Sequence, residues 1–140
     1  MKALSVRNPW ANDIVYGVKT VEWRSWYTNY RGPLLICSTA KPDPRYREFC
    51  KPYKDYDGKA CGIVTLYDCV PFGREHLKGA LAIGENDDPN SFPLSEISGY
   101  AWLLKDASLI DAFPVKGKQG FMNITLPPDV TCDRPDLYQW

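Results

Sequence analysis

A change of hydrophobic period at one glycine constrains this chain most. Asn8-Pro9 reads as a helix start, with Asn8 as N-cap and Pro9 at the first helical position. Trp10 and Ile14, with Ala11 and Val15, follow at helical spacing, so a helix with an apolar stripe is expected over residues 9–16. Gly17 closes it in the left-handed conformation that glycine adopts without steric cost. From Lys19 the period becomes two. Val21 and Trp23 then point one way, and Thr20, Glu22 and Arg24 the other. A strand over 20–25 with Glu22 and Arg24 on one face follows, and Lys19 sits at the junction.

The remaining segments extend this alternation. Strands are expected over 2–6, 34–38, 60–70, 100–104 and 121–126, and short helices over 44–51 and 75–81. Residues 84–95 read as an acidic loop, and a Pro/Asp tail begins at about 127. Short strands with two or three helices and no regular βαβ alternation give an α+β class, a small mixed β-barrel flanked by short helices. At 140 residues the chain is read as one domain, 1–140.

Composition narrows the chemistry. A mean hydropathy of -0.38 and no apolar run near the ~18 residues of a membrane span exclude a helical membrane protein. Met1-Lys2 leads directly into strand-like sequence without a signal-peptide core. The five cysteines are odd in number and lack CxxC spacing, so reduced thiols and a cytoplasmic location are expected. With one histidine, His76, no metal site is expected. GxxxxGK[ST], GxGxxG, GxSxG and HExxH are all absent, and no cofactor is expected.

Charge is unevenly distributed. Residues 1–60 carry eleven Lys or Arg against six Asp or Glu, and residues 61–140 carry six against eleven. Such asymmetry fits an anionic partner for the first half; it also fits two halves that neutralise each other. Within residues 16–31, Lys19, Glu22, Arg24 and Arg31 interleave with Trp23, Trp26, Tyr27 and Tyr30. Cations, a carboxylate and stacking rings in one place suit a pocket for a base and a phosphate. The same mixture suits a salt-bridged, half-buried strand. Lys19 with Glu22 also has the make-up of a general acid–base pair. Trp10 is either core or ligand platform. The segment 116–120, KGKQG, reads first as a solvated turn, and the rings and cations of 45–56 read first as a helix packed on the barrel.

The segments LSVRNPWA, GVKTVEWRSW, YRGPLLICSTAK, GYAWLLKDAS and FPVKGKQGF resemble the ASCH family of the PUA-like superfamily. The family's Gly-x-Lys-x-x-Glu-x-Arg block is met by Gly17, Lys19, Glu22 and Arg24, and the likeness covers about residues 3–126. It implies a PUA-like barrel whose cleft binds RNA or a nucleotide-like ligand. The ligand-binding candidates are then Trp10, Lys19, Glu22, Arg24, Trp26, Arg31, Ser38 and Lys41, the last two where the 34–38 run would reach the cleft. Some family members are described as hydrolases of an acetylated cytidine nucleoside and others as ribonucleases. For those, Lys19 and Glu22 are the catalytic candidates, although the amidohydrolase branch has threonine where Glu22 stands. Glu75 lies near that branch's distant glutamate. A protein-interaction role is the third expectation, because the family includes a transcription coactivator.

Overall fold

The computed structural model describes residues 1–80 and 92–131. Most of the expected acidic loop and the end of the tail lie outside the described residues. The strands are β1 (Lys2–Val6), β2 (Val21–Arg24), β3 (Gly32–Ser38), β4 (Lys59–Pro71), β5 (Tyr100–Pro114) and β6 (Phe121–Asn123). The helices are α1 (Trp10–Val15), α2 (Arg47–Cys50) and α3 (Leu77–Ala80), joined by short 3-10 turns. One six-stranded sheet, ordered β2-β5-β4-β3-β1-β6, curls into a half-barrel of the α+β, PUA-like type. β1 runs parallel to β3, and the other neighbours are antiparallel.

Period two explains how the sheet is covered on both faces. On β3, Leu34 and Ile36 join Leu4, Val64, Leu66 and Trp102 on one side. Leu35 and Cys37 join Ala3, Ile63, Ile110 and Met122 on the other. Such a strand reads as a continuous apolar run because neither face meets water. Helix α1 closes the concave side with Ala11, Ile14 and Val15, all buried. Full burial of a side chain such as Ile14 contributes about 1.5–3 kcal/mol. Gly62 makes that closure possible. A Cβ there would lie 2.4 Å from Val15 Cγ1 and 2.8 Å from the Ser108 carbonyl.

Two expectations are corrected. The helix begins at Trp10 with Pro9 at its N-cap, and Asn8, across a cis Asn8-Pro9 bond, accepts from the Asn12 N–H through Oδ1 at 2.9 Å. β5 runs fifteen residues rather than stopping at 104. Asp106, at φ 55°, and three register shifts against β4 break its alternation and bend it around the barrel. Cys37 and Cys61 are buried free thiols, and desolvation pushes both up to about 12. No helix among the described residues is long and apolar enough to cross a membrane.

Candidate functional site

The helix-to-strand junction builds the floor of a cavity. Gly17, at φ 80°, donates to the Ile14 carbonyl at 3.0 Å, and the N–H groups of Val18 and Lys19 both reach the Asp13 carbonyl. This reversal turns Lys19 inward, where it is only 3% exposed. Its Nζ donates to the Ala80 carbonyl of α3 and lies 3.6 Å from Glu22 Oε1. Two residues along β2, Arg24 donates from Nε and Nη2 to Glu22 Oε2 at 3.2 and 3.0 Å. The same Nη2 donates to the Ser5 carbonyl of β1 at 3.0 Å. Glu22 is thus a buried carboxylate between two cations, the condition under which a charge persists away from water.

The cavity above this floor measures about 820 Å³. Among the described residues its lining includes five cations, Arg7, Lys19, Arg24, Arg45 and Lys118, and two carboxylates, Glu22 and Asp43. Asp43 is 5% exposed and caps the turn Pro44–Tyr46 by accepting from the Arg45 N–H. It also accepts from Arg45 Nε and Nη2, each at 3.1 Å, and Arg7 Nη1 stands 3.7 Å away. The hydrogen bond from the Arg45 side chain, helped by its charge and that of Arg7, holds the Asp43 carboxyl below its ordinary range. Arg45 lies over the rings of Tyr46 and Trp10, with Cζ 5.4 and 5.9 Å from their centroids.

Lys19, Glu22, Arg24, Trp10 and Ser38 are brought together on this lining. Trp26, Arg31 and Lys41 are not. Trp26 packs edge-on against Trp102 at 4.6 Å and Phe121 at 5.3 Å, part of the aromatic core. Arg31 is exposed, donates to the Thr28 and Tyr30 carbonyls and pairs with Asp68 at 3.4 Å. Lys41 lies in the bend beyond β3, with an exposed side chain. Glu75 is also off the lining.

Sequence reasoning passed over Arg7 and Asp43, and it read Gly117 to Gln119 as a solvated turn although these residues line the cavity. That segment leaves β5 and crosses beside β1 on its way to β6. Ser5 also lines the cavity; its Oγ is buried and has no hydrogen-bond partner among the described residues. The run of LSVR holds both Ser5 and Arg7, yet it signals a strand end and nothing more.

The ASCH domain family model matches residues 4–107, in which the whole floor lies. This chain belongs to the ASCH domain family. It is similar to human activating signal cointegrator 1, with 43% identity over 131 residues, covering 81% of this chain and 20% of that protein. The mouse protein of the same name is 41% identical over the same coverage. The chain therefore spans about a fifth of the length of these curated relatives. Among solved structures, ASCH from Zymomonas mobilis superposes with a TM-score of 0.55 at 18% identity, covering 99% of this chain and 90% of that one. A point mutant of the same bacterial protein gives 0.54 at 19%, with 99% and 93% coverage. At such identity the likeness is one of fold.

Proposed function

We propose that this ASCH domain is a recognition module that binds RNA, or a nucleotide-like ligand, in the cavity over Lys19, Glu22 and Arg24. The observation that carries this reading is a buried cation–carboxylate–cation floor inside a space of about 820 Å³, within the roughly 300–1,000 Å³ of small-ligand pockets. The floor offers donors and an acceptor at fixed positions, which is what the edge of a base requires. The half-buried Trp10 adds a ring. Among the described residues, the excess of cations on the lining favours an anionic ligand.

Hydrolysis is the weaker reading. A carbonyl oxygen and a carboxylate both face Lys19 Nζ, an arrangement for a donating ammonium rather than for a proton-accepting amine. Kinship to activating signal cointegrator 1 supports an adaptor role instead, should RNA fail to bind. Titration of labelled single-stranded RNA at low and high salt is the test. Binding that weakens with salt, and weakens on the order of tenfold in Arg24→Ala, supports the proposal. No binding at low salt, with the fold intact by thermal melting, overturns it.

A further inference from the structure

The mouth of the cavity carries a second group of charges that the floor does not explain. Asp43 is buried, yet both of its arginine neighbours are exposed, Arg7 at 59% and Arg45 at 67% of the side chain. Arg45 satisfies the buried Asp43 carboxylate with two side-chain hydrogen bonds, whereas Arg7, at 3.7 Å, adds none, so the convergence of a second, exposed guanidinium on the same oxygen asks for another reason. We propose that Arg7 and Arg45, both held on Asp43, form a phosphate clamp at the mouth of the cavity, so that the site takes a nucleotide in preference to the nucleoside. The proposal rests on the reading of the cavity as a nucleotide site and adds the phosphate subsite to it.

The geometry supports a clamp in four ways. Arg45 is fixed by two side-chain bonds to Asp43 and by the backbone cap, all from one carboxylate. A guanidinium held in this way loses little freedom when a ligand arrives. Its position over Tyr46 and Trp10 braces it from behind. Arg7 approaches the same Oδ2 that Arg45 Nη2 occupies, so one phosphate is within reach of both. At 3.7 Å its contact with Asp43 is an ion pair beyond hydrogen-bond distance, and the planar fork remains suited to phosphate oxygens. The loop is tied to the start of α1, because the Asp43 N–H donates to the Asn8 carbonyl at 2.9 Å. Asp43 is therefore a positioning residue, and the arginines are the groups that touch phosphate.

Calorimetric titration of the four ribonucleosides and their 5′-monophosphates tests this. For the base that fits, the monophosphate binds on the order of tenfold tighter than the nucleoside at low salt. Arg7→Ala and Arg45→Ala each remove most of that increment. Asp43→Asn also removes it, although the change makes the mouth more positive. Simple charge attraction predicts the opposite sign for that variant. Equal affinity for nucleoside and monophosphate, or tighter monophosphate binding by Asp43→Asn, overturns the clamp. Should no nucleoside or nucleotide bind, the reading of the cavity fails on its own account. Inorganic phosphate then decides the clamp. Perturbation of the Arg7 and Arg45 side-chain NMR signals that disappears in Asp43→Asn supports it, and unperturbed signals overturn it.

Discussion

The floor and the mouth of the cavity repeat one motif in two dielectrics. Each sets a single carboxylate between two cations: Glu22 between Lys19 and Arg24, and Asp43 between Arg7 and Arg45. At the floor the side chains are buried or nearly so, and at the mouth the arginines are mostly in water. Coulomb attraction at a given distance is several-fold stronger at the floor, and so is the cost of leaving a charge without its partner. The floor charges are therefore structural before they are functional. Asp43 is as buried as Glu22 and needs a partner for the same reason, whereas the mouth arginines stand mostly in water, where a ligand can reach them.

The contrast breaks first at Glu22. Glu22→Gln withdraws the carboxylate that both floor cations face, and a loss of roughly 3–5 kcal/mol in unfolding free energy by urea titration is expected. A loss below about 1 kcal/mol would mean that the floor is solvated like the mouth. Arg24→Ala comes next, with an expected loss of RNA affinity on the order of tenfold, about 1.4 kcal/mol. Asp43→Asn keeps an N-cap side chain and leaves behind arginines that stand mostly in water, so its effect on stability near neutral pH is expected to be smaller than that of Glu22→Gln. The pH dependence sharpens the difference. The folded-state pKa of Asp43 is lowered by Arg45, so its contribution is present above the unfolded value of about 3.9 and is lost as pH falls through the folded value. The acid limb of a pH–stability profile should accordingly be shallower in Asp43→Asn than in the wild type. Arg31→Ala is the smallest change. Off the cavity and on the surface, it should leave RNA affinity within about twofold and stability within about 0.5 kcal/mol.

What was legible in the sequence was local. The Gly17 switch and the spacing of Lys19, Glu22 and Arg24 depend on residues within one turn of helix and one strand, and these put all three side chains on the cavity lining. The half-barrel followed from short alternating strands and from the family block. The mouth was illegible because its carboxylate and one of its arginines lie far apart in the chain and meet only through the fold. Trp26 misled for a related reason. Its place among cations resembles a ligand platform, but Trp102 and Phe121, distant in sequence, enclose it edge-on. The far half of β5 was missed because Asp106 and the register shifts against β4 erase the period-two signal just where the strand bends.

A half-barrel, unlike a closed one, leaves two margins of unpaired backbone. Here the outermost strands are β2 with four residues and β6 with three. On β2 the chain just before the strand is already bonded to α3, through the Thr20 N–H and the Gly79 carbonyl at 3.1 Å. Margins this short offer a second molecule too few successive donors and acceptors to template a continuing sheet. The incomplete barrel thus keeps a ligand-sized opening on its concave side while presenting little that would seed a fibre.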